Sequence, residues 1–256
     1  MYRTIKMKTA LSLQKKKQQS ISSSSNIEEK ANQSQEEDPE GLSSDALSSL
    51  IEDNPISDLE NRGVILIQKA IDRDAIGSVI AHILSKDLDP LFQGSLTIFI
   101  NTEGGNLTDT WALIDVMESA DLPITTVGIG SVCSAGTLIL GAGDPGCRFV
   151  MPRTQLMSHL LSGGIVGNLE EMQADMNASK VEHNKMIEFW KTHSRYETKR
   201  AIEKYLLTKI DTYMTAVEAV NHGIVDKIIE SKRAEKLKLF KKTQPRQKTK
   251  KKKKKK

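Results

Sequence analysis

Apolar positions in this chain gather between residues 58 and 232 and alternate between two periods. Gly63-Val64-Ile65-Leu66-Ile67 is a continuous apolar run that predicts a buried strand. Behind Asp72, a candidate helix cap, Ala75, Ile76, Val79, Ile80, Ile83 and Leu84 recur at helical spacing. Leu96 to Ile100 reads as the next strand, and Leu107, Trp111, Ile114 and Met117 mark the helix after it. Pro123 punctuates the return to a strand from Ile124 to Ile129, and Thr137 to Ala142 resumes a helical pattern. This βαβα alternation predicts an α/β fold with a parallel sheet and right-handed crossovers. In such sheets the chemistry lies beyond the carboxyl ends of strands, where Gly104-Gly105 and Ser134 both fall.

Further along, Gln155 to Ser158 predicts a strand, followed by the glycine-bearing stretch Ser162 to Gly167. A long amphipathic run then extends from Asn168 to His193, with Leu169, Met172, Met176, Met186, Phe189 and Trp190 as its apolar positions. A helix of that length reaches past a compact domain, which leaves apolar residues in need of a partner. The alternative is a long helix packed along its own domain.

The ends differ from the middle. Residues 1–57 are dominated by Ser, Gln, Glu, Lys and Asn, too polar to offset their chain entropy, and are expected to be a disordered extension with Asp45 to Ile51 as a transient helix. Residues 58–232 form the expected folded domain, and residues 233–256 a lysine-rich disordered tail. Lys241 to Lys256 carries roughly +11 of charge, so a formal net charge of +4 leaves about −7 for the rest. The basic character therefore belongs to a tail. No aromatic residues interleave its lysines, so specific nucleic-acid recognition is not expected.

Two cysteines, Cys133 and Cys147, make neither a disulfide framework nor a metal site, which fits a reducing compartment. His82, His183, His193 and His222 show no metal-ligand spacing, and no cofactor is expected. The uncharged stretch Ile124 to Gly143 approaches the length of a membrane span. Its glycines, serines and threonines fit a buried strand-turn-helix better, so no membrane association is expected. The first 25 residues hold Arg3, several lysines, the run Ser22 to Ser25 and no acidic residue. A cytoplasmic protein with a polar tail is the favoured reading, and an organelle matrix or plastid stroma the alternative if this segment is a transit peptide.

The candidate chemistry centres on Gly130-Ser131-Val132-Cys133-Ser134-Ala135-Gly136, between a strand and a helix. Small residues there allow a sharp turn that presents a serine hydroxyl above the sheet, with the first amides of the helix beside it. His159 and Asp211 downstream can supply a base and its orienting carboxylate. Taken singly, each has a plainer reading: Ser134 as turn packing, His159 as a core histidine, Asp211 as a helix cap or turn residue. Cys133 is expected to be buried packing.

The order Ser, His, Asp, together with Ile100-Asn101-Thr102-Glu103-Gly104-Gly105, the serine and histidine segments, and Thr215 to Asp226, resembles the Clp protease proteolytic subunit (ClpP) family from about Asn61 to Ile229. The resemblance implies a ClpP/crotonase-like spiral of βαβ units with a long handle helix that interlocks two rings. It implies Ser134 as nucleophile, His159 as general base and acid, Asp211 as its orienting partner, and the amides of Gly105 and Ala135 as the oxyanion hole. It also implies homo- or hetero-oligomeric, stacked heptameric rings fed with unfolded polypeptide by an AAA+ unfoldase. No P-loop pattern occurs in the chain, so ATP would be spent by that partner.

Three departures from the family pattern stand out. Thr102-Glu103 replaces Ser-Pro before the two glycines, Leu160-Leu161 replaces Gln-Pro after the histidine, and Thr97 and Phe99 occupy positions that help form the ATPase docking pocket. Two other functions compete: a non-catalytic structural ring subunit, which would usually lack triad members, and a crotonase-like acyl-CoA enzyme, which shares the spiral and a similar ending.

Overall fold

The computed structural model describes residues 55–164 and 166–236. The expected N-terminal extension with its Asp45 to Ile51 helix, and most of the lysine tail, lie outside the described residues. A helix α1 (Pro55–Asn61) begins three residues ahead of the expected domain start, and residues 232–236 are helical, past the first residue of the expected tail.

From α1 the chain runs through β1 (Val64–Ile67), α2 (Arg73–Leu88), β2 (Leu96–Thr102), α3 (Leu107–Ser119), β3 (Ile124–Cys133), α4 (Ala135–Gly141) and β4 (Arg148–Val150). Strands β1 to β4 lie side by side in chain order and pair in parallel, the expected consequence of βαβ units. Asp72 caps α2 as its position suggests, its side chain accepting the Ala75 amide at 2.8 Å. Alternate residues of β2, Leu96, Ile98 and Ile100, are fully buried against the apolar faces of the helices.

Strand β3 is longer than its apolar pattern suggested. It continues through Gly130 to Cys133, and its two halves have different partners. Thr126 to Gly128 pair with β4, whereas Ser131 to Cys133 pair with β5 (Gln155–Ser158). Gly130, at φ +58, lets the strand turn from one neighbour toward the other. That divergence turns the sheet into a spiral.

Beyond β5, the chain forms α5 (Leu169–His193), α6 (Lys199–Tyr205), β6 (Thr212–Met214), α7 (Ala216–His222) and β7 (Lys227–Ile228). β6 pairs antiparallel with β5, and β7 closes the far edge beside β4. α5 starts with a reciprocal capping box between Asn168 and Glu171. Its first half leaves Leu169, Met172, Met176 and Val181 exposed, while Met186, Ile187, Phe189 and Trp190 are buried in the core. Trp190, read from sequence as part of the apolar face needing a partner, packs fully within its own domain, close to Gly141 of α4. The junction between the halves is marked by Trp111 Nε1, which donates to Glu182 at 2.7 Å.

Candidate active site

Strand register brings the three candidate residues together. Cys133 is the last β3 residue paired with β5, opposite Met157, and the Ser134 amide continues that ladder by donating to the Met157 carbonyl at 2.7 Å. On the other side of β5, Ser158 opposes Thr212 in the antiparallel pair, so His159 and Asp211 emerge together one step beyond it. The reading of Asp211 as a helix cap does not hold, since a β-strand and not a helix follows it.

The side chains meet accordingly. Ser134 Oγ lies 2.8 Å from His159 Nε2, and His159 Nδ1 lies 3.0 Å from Asp211 Oδ1. With Nδ1–H donating to the carboxylate, Nε2 is the acceptor for the serine proton. The His159 side chain is mostly buried, while that of Asp211 is 53% exposed.

Ser134 has φ 53 and ψ −122, the one non-glycine residue with positive φ among the described residues. A serine in that region stores local strain, and the surroundings hold it there. Its carbonyl accepts both the Thr137 amide at 2.9 Å and the Thr137 hydroxyl at 2.7 Å, and every residue of α4 behind it is buried.

The glycine loop faces this turn. Gly104, at φ +96, is so close that a Cβ there would sit 2.8 Å from the Ser134 Cβ, so only glycine fits. Gly105 is pressed against residue 71: Ile71 N donates to the Gly104 carbonyl and Asn106 N to the Ile71 carbonyl, both at 2.8 Å. A Cβ at Gly105 would fall 2.2 Å from the Ile71 oxygen. Gly105 and Ala135 line one cavity of about 240 Å³ with Ser134 and His159. Met186, Leu107 and Leu161 complete its apolar wall. The sequence named Leu107 and Met186 only as apolar helix positions and Leu161 only as part of the departure that follows the histidine. The position of Leu161 two residues after His159 was the available signal.

Glu103 also borders the cavity, so the departure seen in the sequence puts a carboxylate beside the glycine loop. Cys133 is buried, with its sulfur 3.2 Å from Ser131 Oγ. Burial pushes its thiol pKa up, and the negative charges of Glu103 and Asp211 add to that while the Ser131 contact opposes it. A thiol held protonated is packing and not a competing nucleophile. Among the described residues, no group of three or more His, Cys, Asp or Glu side chains is placed to hold a metal ion, and no helix is long and apolar enough to cross a membrane.

Comparison with known proteins agrees with this architecture. The chain is 29% identical over 204 residues to the chloroplastic ATP-dependent Clp protease proteolytic subunit 4 of Arabidopsis thaliana, a match covering 77% of this chain and 63% of that one. It is 30% identical over 181 residues to ATP-dependent Clp protease proteolytic subunit 1 of Rhodococcus jostii, covering 70% of this chain and 80% of the relative. Subunit 2 of Mycobacterium tuberculosis is likewise 30% identical, over 182 residues, covering 70% and 83%. Residues 49–232 match the family model for Clp protease, and with that match the chain belongs to the Clp protease family.

Proposed function

We propose that this chain is a serine endopeptidase subunit of a ring-shaped proteolytic chamber. The observation that carries the reading is the unbroken relay from Ser134 Oγ through His159 to Asp211, with contacts of 2.8 and 3.0 Å. A serine hydroxyl is a weak nucleophile at neutral pH and needs a base within hydrogen-bond reach. Ser134 attacks the peptide carbonyl as His159 takes its proton, and the tetrahedral oxyanion is met by the amides of Gly105 and Ala135. The imidazolium, steadied by Asp211, then protonates the leaving amine. Water attacks the acyl-enzyme with His159 again as base, which releases the acid product and restores the hydroxyl.

A small apolar site of this kind selects by access. The relatives are named ATP-dependent, and with no P-loop in this chain the ATP is spent by a separate Clp-type AAA+ unfoldase that feeds unfolded polypeptide. The exposed Leu169, Met172 and Met176 at the start of α5 support assembly into stacked rings, with that end of the helix buried against a second ring. Chloroplastic and bacterial relatives together support a cytoplasmic or plastid-stromal location.

Labelling with a fluorophosphonate probe, read together with the native mass, tests this reading. One label per chain, lost in Ser134→Ala, on a multi-subunit particle is the expected result. An assembled particle that takes no label would instead be a structural subunit.

A further inference from the structure

Leu161 forms part of the catalytic cavity wall, and it also lines a second cavity of about 440 Å³. One side chain therefore borders both spaces. Leu160 joins it from the loop after β5, Lys180 and His183 come from the middle of α5, and Lys199 from the start of α6.

The two cavities differ in charge. The catalytic one has the Glu103 carboxylate in its wall, whereas the second is lined by two lysines and a histidine with no acidic lining residue. Nearby, Glu203 is the local counter-charge: it accepts from His183 Nε2 at 3.0 Å, and its Oε1 is 3.8 Å from Lys199 Nζ. That one carboxylate serves both groups. Lys180 has no ion pair among the described residues, and His183 Nδ1 is buried with no hydrogen-bond partner among them. With Nε2–H donating to Glu203, His183 Nδ1 is an acceptor, so the cationic capacity that Glu203 leaves unused beside the apolar surface of Leu160 and Leu161 is that of Lys180.

We propose that this second cavity is a subsite for a carboxylate of the bound polypeptide, either an Asp or Glu side chain or a free C-terminal carboxylate. The inference rests on the peptidase reading, since it takes the chain in the catalytic cavity to continue past Leu161. Lys180 supplies the unpaired charge, Lys199 reinforces it, and Leu160 with Leu161 contacts the apolar stem of the bound residue. Glu103 on the catalytic side repels the same carboxylate, so the cleft fixes the register of an acidic segment.

A test uses one neutral fluorogenic peptide in which Glu, and separately Gln, is walked through every position. The parent peptide is also made with a free and with an amidated C-terminus. Binding is read by fluorescence anisotropy on the full-length Ser134→Ala chain, and kcat/KM on the unaltered chain. The expected result is a roughly two- to fivefold tighter binding for Glu over Gln at one position, the size set by partly exposed charge pairs. Lys180→Gln should erase most of that preference and Lys180→Glu should reverse it. A preference confined to the free C-terminus would assign the subsite to a terminal carboxylate, and one confined to a Glu position to a side chain. Equal binding throughout, or a preference that survives Lys180→Glu, overturns the proposal. Hydrolysis without charge preference defeats the subsite alone, whereas charge-selective binding without hydrolysis by the unaltered chain defeats the catalytic reading alone.

Discussion

The turn that carries Ser134 and the loop that carries Asp211 are the two ends of one hydrogen-bond relay, and the fold holds them by different means. Ser134 is wedged between β3 and a fully buried α4, its amide bonded to Met157 and its carbonyl to Thr137, with glycines 104 and 105 leaving no slack on the facing side. Asp211 is half exposed and follows Ile210, itself 77% exposed, in a loop braced by the Thr208 hydroxyl against the Ile210 carbonyl and the Thr212 hydroxyl, both at 2.6 Å. Ser134 is fixed by core packing. Asp211 is fixed by a surface loop, so it is the end with more freedom to adjust.

The tightly packed end should be the less forgiving. Ser134→Ala should lower peptide hydrolysis by at least about a thousandfold, and adding His159→Ala should cost little more, because residues acting as one unit are not additive. Steady-state rates on a short fluorogenic peptide decide this, and multiplying defects would break the relay. Next comes Gly105→Ala, which must displace the loop because its Cβ would meet the Ile71 oxygen at 2.2 Å. On the proposed mechanism, in which the Gly105 amide meets the oxyanion, this should cost roughly a hundred- to a thousandfold in kcat, and melting temperature should fall as well.

At the exposed end, Asp211→Asn should leave the fold intact and lower kcat by about a hundredfold, clearly less than Ser134→Ala. The amide favours the wrong imidazole tautomer, but water reaching a half-exposed position can partly take over the orienting bond. Were the two losses equal in the same assay, the contrast between a rigid and an adjustable end would be wrong.

Much of this was readable in the chain, and the gaps have physical causes. Strands β1 and β2, helices α2 and α3, and the long α5 announce themselves by continuous or periodic burial over enough residues to count. β4, β6 and β7 span two or three residues each and owe their form to tertiary pairing, which no local period records. The second half of β3 was hidden by Gly130, a residue that locally signals a turn but here lets one strand serve two partners. The Ser134, His159 and Asp211 segments were legible because their order and surroundings match one family. The distances were not, because they follow from β3, β5 and β6 registers set by long-range contacts. Likewise, sequence assigned apolar residues to α5 without saying which half was already covered.

The smallest expected effect lies away from both ends of the relay, at a carboxylate that is pinned as tightly as Ser134 yet has no part in the chemistry. Asp226 Oδ2 accepts the Gly146 amide at 2.8 Å, the Arg148 amide at 2.9 Å and Arg148 Nε at 3.1 Å, and Oδ1 accepts Arg148 Nη2 at 2.6 Å. Arg148 also donates from Nη1 to the His193 carbonyl at 2.8 Å, so the pair joins β4 to the end of α5 and the approach to β7. Burial alone would raise the Asp226 pKa, but these hydrogen bonds and the guanidinium charge outweigh it and hold the carboxyl below its usual value. A depressed folded-state pKa contributes stability that is complete above the unfolded value, about 3.9, and is lost as pH falls through the folded one. Asp226→Asn should therefore cost about 1–2 kcal/mol at neutral pH. Denaturant titrations of both proteins from pH 7 to pH 2 should show that gap closing only below about pH 4. A gap of constant size across the range would mean that the ion pair is not its source, and that position 226 acts through shape alone.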